Sequence, residues 1–356
     1  MSNVLEIDGN YLEGGGQIVR TALALSVLTK QSFKVTNIRK GREKPGLKAQ
    51  HLECINSLKK LCNANVSGAE IGSTELIFEP GEIKGRSLNI DIKTAGSITL
   101  LLQSLIIPCF FAKNSIKLNI KGGTNVAWSM PIEYLEYVMI PQIKKYCEKI
   151  DLRVLKRGYY PAGGGEVELR IKPIYDSLQN INDYKKIELI EQNRLIAIKG
   201  VSHASKNLEK SQVAERQASS AKQLLAKFNC PINIRTEYSN TISTGSGITL
   251  FALFGKEEVD EFNPVIIGAD ALGERGKTSD IVGKEAAEKL ISEISSESPV
   301  DEHLADNLIP WMALFRPARI KVSKISNHTL TNIYIVEKFL GKCFTVDEKE
   351  RIINCN

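Results

Sequence analysis

Ile116-Lys117-Leu118-Asn119-Ile120 and Val167-Glu168-Leu169-Arg170-Ile171 alternate apolar and polar side chains at every step. That period of two marks strands with one buried face. Working outward, a strand at 88–92 and an apolar helix at 98–112 precede the first, which itself spans 115–120. A helix at 131–147 and a strand at 151–157 separate it from the second, at 165–171. The same order recurs upstream: strand 5–8, helix 17–29, strand 32–38, helix 47–62, strands 65–70 and 73–78. The helices rest on apolar spacing near 3.6, as in Cys54, Ile55, Leu58 and Leu61. A unit of roughly eighty residues therefore repeats. A third copy is expected from helices at 283–294 and 303–315, a strand at 318–325 and a helix at 332–340. The fold class is α+β, with three βαβαββ units whose sheets lie to one side and whose helices form a shared core.

One stretch breaks that order. After the polar run Gln179-Asn180-Ile181-Asn182-Asp183 come a strand at 195–199, a long polar helix at 208–228, and strands at 232–238 and 248–254. It reads as a small inserted α/β domain. The expected division is 1–183 for repeats one and two, 184–270 for the insert, and 271–356 for repeat three.

Composition sets outer limits. Of 356 residues, 42% are hydrophobic and 25% charged, a balance that suits a soluble globular protein. The most apolar run, 98–112, contains Gln103, Ser104 and Pro108 and is too short to cross a bilayer. The chain opens on a strand-like segment rather than a charged-then-apolar leader, so a soluble, cytoplasmic protein is expected. The net charge of +6 is compatible with an anionic ligand without requiring one. Seven cysteines show no CxxC pair and no zinc-type spacing with histidine. They read as reduced, mostly buried thiols, with a thermophile-type disulfide left open.

Several positions could carry chemistry. In Glu13-Gly14-Gly15-Gly16-Gln17-Ile18-Val19-Arg20, glycines leave a strand and enter a helix, exposing backbone N–H groups at the positive end of its dipole. Arg20 lies on the same face as Gln17 and could reach an anion held there, while Glu13 could ligate a divalent ion. A tight turn explains the glycines equally well. Arg39, Arg42 and Lys44 form a cationic cluster before Gln50-His51, suited to phosphate, although His51 also fits as a packed core histidine. Gln103, amid leucines, needs a protein, water or ligand partner. Gly276-Lys277-Thr278 is not a P-loop, because Ala271 stands where that pattern requires glycine. Of the four histidines, His203 reads as a surface residue. His303 and Asp306 share a helix face, with Asp301 and Glu302 as dipole-matching first-turn residues. His328 falls between a strand and a helix, where a neutral imidazole could act as a nitrogen nucleophile or as a hydrogen-bonded structural residue.

Together these segments resemble the RNA 3′-terminal phosphate cyclase family. The likeness rests on Glu13 to Arg20, Pro45-Gly46-Leu47 with Gln50-His51, and Arg157-Gly158-Tyr159-Tyr160-Pro161-Ala162-Gly163-Gly164-Gly165. It continues through Asp301-Glu302-His303-Leu304-Ala305-Asp306 and His328 with Thr331-Asn332, and it covers almost the whole chain. The resemblance implies three repeats like the C-terminal domain of translation initiation factor three, with one inserted α/β domain. It implies that His328 takes AMP from ATP, that AMP passes to an RNA 3′-phosphate, and that the 2′-hydroxyl closes the cyclic ester. By the same resemblance Glu13 would hold a divalent metal, Mg or Mn, and Arg20, Arg39 and Arg42 would face phosphates. Gln50, His51 and Gln103 would line the nucleotide site, Pro131 and His303 would flank adenine, and Asp306 would orient His328. Some relatives have tyrosine at 303, and Asn307 stands where many have glutamine. Partners implied are ATP and RNA 3′-phosphate ends, without a membrane; a homodimer is one option for the assembly. The alternative is a non-catalytic cyclase-like factor that binds RNA in ribosome assembly, a class that lacks the nucleophilic histidine.

Overall fold

Four-stranded sheets organise the chain, and the computed structural model describes them through residues 4–83, 87–181 and 184–356. Asn182, Asp183 and the expected boundary after 183 lie outside the described residues. The first sheet is built from β1 (Leu5–Asp8), β2 (Phe33–Thr36), β3 (Asn65–Ser67) and β4 (Leu76–Glu79), with α1 (Gln17–Thr29) and α2 (Ala49–Cys62) between strands. Its order is β1-β2-β4-β3, parallel at the first pair and antiparallel at the others.

The second sheet uses β5 (Ser87–Asp91), β6 (Ile116–Gly122), β7 (Cys147–Lys156) and β8 (Gly165–Pro173). Its order, β5-β6-β8-β7, has the same senses. Its helices are α3 (Ile98–Phe110) and the segment expected as one helix from 131 to 147. That segment instead runs through α4 (Ile132–Tyr134), a π-turn at Leu135–Met139, α5 (Ile140–Ile143) and a 3₁₀ turn, with Cys147 already in β7. Pro141 is the reason: it lacks an N–H to continue the α-helical ladder and crowds the turn before it.

Next come β9 (Glu188–Leu189), β10 (Arg194–Ser205), α6 (Val213–Leu225), β11 (Ile232–Ser239), β12 (Ser246–Gly255), β13 (Val265–Leu272) and α7 (Ser279–Ser295). The chain ends with α8 (Glu302–Leu314), β14 (Ala318–Lys321), α9 (Asn327–Leu340), β15 (Phe344–Asp347) and β16 (Ile352–Cys355). β9 does not join β10. It pairs in parallel with β14, through Ile320 opposite Leu189, and the third sheet runs β9-β14-β16-β15. The fourth sheet has a different order, β11-β10-β12-β13.

Two elements therefore sit elsewhere than expected. β9 falls past 184 yet pairs with the third sheet. The helix at 283–294 was expected to open repeat three, but α7 packs on α6, β12 and β13. Its buried face is made of Val282, Gly283, Ala286, Ala287 and Leu290. A methyl group on Gly283 would fall 2.1 Å from the Gln217 carbonyl oxygen, so only glycine lets the two helices approach this closely. The expected helix 208–228 is broken at Gln212, whose φ of 48° ends a 3₁₀ turn before α6.

The core lies among helices. α1 packs on α2, α3 and α9, and α8 on α9. Ile18 to Leu28 are all buried, as befits a helix enclosed on every side. None of the seven cysteines is in a disulfide among the described residues, and five are buried. Among the described residues, no helix is long and apolar enough to cross a membrane.

A buried polar network fastens the fourth sheet to the second. Arg157, at the end of β7, forms ion pairs with Glu133 and, at 2.7 Å, with Glu237 of β11. Asn125 Nδ2 donates to Glu133 Oε2 at 2.7 Å and lies 3.1 Å from His203 Nε2. Tyr159 Oη lies 2.8 Å from His203 Nδ1, and Ala162 N donates to Ser243 Oγ at 2.9 Å. His203 is thus a core residue at 1% exposure, contrary to its reading as a surface residue. Its hydrogen-bonding partners on 124–159 are remote in the chain, which a strand-end reading could not supply. At the other end, Gln192 Nε2 donates to the carbonyls of Ile294 (3.2 Å) and Ser298 (3.1 Å). The chain leaves the third sheet and returns to it within the reach of one side chain.

Candidate active site

The glycine segment between β1 and α1 is fastened to α9 by Tyr11, whose ring stacks on Tyr334 with centroids 4.0 Å apart and planes 18° apart. Glu13 follows. Its Oε2 accepts a hydrogen bond from Arg42 Nη2 at 3.1 Å and lies 3.3 Å from His328 Nε2. Gln17, the first residue of α1, grips the same histidine at two points. Its Nε2 donates to the His328 carbonyl at 3.0 Å, and its Oε1 lies 2.5 Å from His328 Nδ1.

His328 was expected on a loop, but α9 begins at Asn327 and carries it in the first turn. Ser326 is the cap: its Oγ accepts from Thr329 N at 3.0 Å and donates to Asp306 Oδ1 at 2.8 Å. Thr329 Oγ1 donates to the same carboxylate oxygen at 2.6 Å. Asp306, expected to orient the imidazole, makes no hydrogen bond to it among the described residues; it holds the cap of the helix that bears it. Burial raises the Asp306 pKa, against the hydrogen bonds from Thr329 and Ser326.

A second chain of contacts runs from Arg20, which is buried. Its Nε donates to Gln103 Oε1 at 3.1 Å, and Gln103 Nε2 donates to Asn307 Oδ1 at 3.0 Å. Gln103 thus has protein partners at both ends of its amide. Burial lowers the Arg20 pKa. His51 is buried as well. Its Nδ1 accepts from Lys48 N at 3.0 Å, which leaves the hydrogen of the neutral ring on Nε2. Burial first, then the charges of Arg20, Arg39 and Lys48, lower His51 to about 3. Its Nε2 rests against Gly16, where a methyl group would fall 2.0 Å away.

The remaining expected residues divide. Arg39 Nη1 donates to the carbonyls of Lys44 (2.8 Å) and Gly46 (3.1 Å), so it braces the turn before α2 while adding charge to the cluster. Gln50 is half-buried in the first turn of α2 and makes no side-chain hydrogen bond among the described residues. Pro131 is buried at the start of α4. Tyr134, three residues on, donates to Asp301 Oδ1 at 2.5 Å and meets the exposed His303 ring edge-on at 6.4 Å. Asp301 is the buried N-cap of α8, one position before the first turn in which it was expected; it accepts from His303 N, Leu304 N and Gly268 N. Arg42, Glu13, His328 and Gln17 are thereby joined, Asp306 reaches the same helix turn through Ser326 and Thr329, and Arg20, Gln103 and Asn307 form a separate chain. The charges of Arg20, Arg39 and Lys48 all act on His51, and Arg42 lies on Glu13, a cationic surrounding that suits a polyphosphate.

A family model described as RNA 3′-terminal phosphate cyclase matches residues 11–346. The chain belongs to that family. The RNA 3′-terminal phosphate cyclase of Pyrococcus furiosus is 43% identical over 96% of this chain and 94% of its own length. That of Methanosarcina acetivorans is 44% identical over 98% of each, and that of Methanosarcina barkeri 45% over 98% of each. In this cyclase-family chain, Gln17, as a partner of His328, and Ser326 and Thr329, as the link from Asp306 to its helix, escaped sequence reasoning. The Ser326-Asn327-His328-Thr329 run did contain a legible N-cap signal. Nothing local could have linked Gln17 to a histidine 311 residues away.

Proposed function

We propose that this chain converts RNA 3′-terminal phosphates to 2′,3′-cyclic phosphates at the expense of ATP, through AMP held covalently on His328. The observation that carries the reading is the joining of Gln17, Glu13, Arg42 and His328, within a chain of the cyclase family. His328 Nε2 attacks the α-phosphorus, and pyrophosphate leaves. An oxygen of the RNA 3′-phosphate then takes AMP from the ring. The adjacent 2′-hydroxyl attacks the activated phosphorus and expels AMP, an intramolecular step in which proximity supplies much of the acceleration.

Each residue has a share in this. Arg20 and Arg42 neutralise phosphate charge, Arg39 adds to their field, and His51 offers its Nε2–H. Gln50 and Gln103 border the nucleotide, and Pro131 and His303 pack against adenine. Glu13 would hold a divalent ion, Mg or Mn. A carboxylate oxygen suits such a hard ion, which would take its other ligands from phosphates and water. Such an ion supplies positive charge against the leaving pyrophosphate.

We also infer three βαβαββ repeats, in which β9 opens the third and an α/β insert from β10 to α7 separates it from α8. The shared strand order of three sheets supports this, as does the different order of the fourth.

The test is incubation with α-labelled ATP and Mg or Mn. Wild type is expected to acquire acid-labile, alkali-stable label and His328→Ala none. Absence of label on folded wild-type protein, with a control cyclase labelled in parallel, would return the chain to the non-catalytic RNA-binding reading. Equal label on both proteins would mean a different nucleophile.

A further inference from the structure

The two hydrogen bonds from Gln17 to His328 carry more than position. The His328 carbonyl can only accept, so the amide nitrogen of Gln17 must face it, at 3.0 Å. The amide oxygen is then the atom 2.5 Å from Nδ1, and it too can only accept. Nδ1 must therefore carry the hydrogen, which leaves the lone pair of a neutral ring on Nε2. Nε2 faces Glu13 at 3.3 Å, a carboxylate already engaged by Arg42. Asp306, the acid expected to orient the ring, bonds Ser326 and Thr329 instead. No other side chain among the described hydrogen bonds competes for Nδ1.

We propose that Gln17 is the positioning residue that holds His328 as its Nδ1–H tautomer throughout the catalytic cycle, so that AMP moves on and off Nε2 without a proton leaving the ring. The inference rests on the reading of His328 as the AMP acceptor. In the first transfer the Nε2 lone pair forms the N–P bond, the bond between the α-phosphorus and the bridging oxygen breaks, and pyrophosphate departs with that electron pair. The ring keeps its Nδ1 hydrogen and becomes an N-phosphoryl imidazolium. In the second transfer an RNA phosphate oxygen bonds to phosphorus, the N–P bond breaks, and its electrons return to Nε2. The neutral Nδ1–H ring is restored. An amide is suited to this because it accepts the hydrogen bond without a charge that would draw the proton away. A carboxylate at this place would favour loss of the proton from the adenylylated ring, which would then be a poorer leaving group.

Three variants separate the roles. Gln17→Met keeps length and packing but removes both hydrogen bonds. Both transfers are expected to slow by about 10²-fold, with the KM for ATP changed far less than the rate, as misorientation of a reacting group predicts. Gln17→Glu keeps an acceptor at Nδ1, so label from ATP is expected to accumulate on the protein and discharge slowly to RNA 3′-phosphate. Gln17→Asn is expected to recover part of the Gln17→Met loss. Nitrogen-15 NMR of histidine-labelled protein, with His328→Ala to identify the signals, reads the tautomer directly. Wild type should show a hydrogenated Nδ1 and a bare Nε2, and Gln17→Met a mixture. A wild-type ring with its hydrogen on Nε2, or wild-type rates for both transfers in Gln17→Met, would overturn the proposal. If His328→Ala still takes up label, the functional reading fails, while the NMR result still reports on Gln17.

Discussion

His203 gives the residue scale its clearest physics. Burial, reinforced by Arg157 and opposed by Glu133, lowers it to about 3, whereas an imidazole in the unfolded chain titrates near 6.5. The unfolded state therefore binds the extra proton first. The stability that follows is complete above about pH 6.5 and is lost as pH falls from there toward 3, at about 1.4 kcal/mol per pH unit. The urea midpoint of the wild-type protein is expected to drop between pH 6.5 and 5. His203→Gln should show a shallower drop over the same window, and identical slopes would refute the assignment. His51, also lowered to about 3, contributes in the same direction. Only one of these burials was legible in the residues themselves. His51 shares an apolar stripe with Cys54, Ile55 and Leu58 and could be placed inside; His203 is buried by a surface that arrives from elsewhere in the chain.

Among elements, α9 depends on its first turn. Ser326 caps the helix and also satisfies the half-buried Asp306 carboxylate. Ser326→Ala removes both, an expected loss of about 1–3 kcal/mol in urea unfolding. The same change should reduce uptake of label from ATP, because the turn it loosens carries His328. Ser326→Asp keeps a cap acceptor but faces Asp306 and should not rescue it; full rescue would show that capping alone matters. The long alternating strands were legible because a period of two survives over their length. β9 was not, since two residues cannot display a period, and its partner β14 lies far along the chain. The π-turn before α5 could have been suspected from Pro141, but the apolar spacing on either side masked it.

Across the whole molecule, the largest stake lies between the second and fourth sheets. Burial alone would raise Glu133, yet Arg157 and His203 bring it down to about 2. The pair is thus charged in the folded protein. Arg157→Met would strand a buried carboxylate and is expected to cost about 3–5 kcal/mol, while Arg157→Met with Glu133→Gln should cost clearly less. Additive losses in urea unfolding would argue against the coupling. The general α+β plan and the recurrence of units one and two could be read from periodicity. The pairing of β9 with β14 could not, because the fourth sheet and two helices lie between them in the chain.

Gln192, bonded to the carbonyls of Ile294 and Ser298, closes that long excursion like the neck of a bag. A gene segment encoding residues 193–297 begins and ends at one point in space, so splicing another module into this neck would leave the ends of the flanking framework no farther apart than they are now. The faces around Tyr134 and Tyr159 would still need a cover. This makes the neck a natural junction for building chimaeras, provided the incoming module brings its own complement to those two tyrosines.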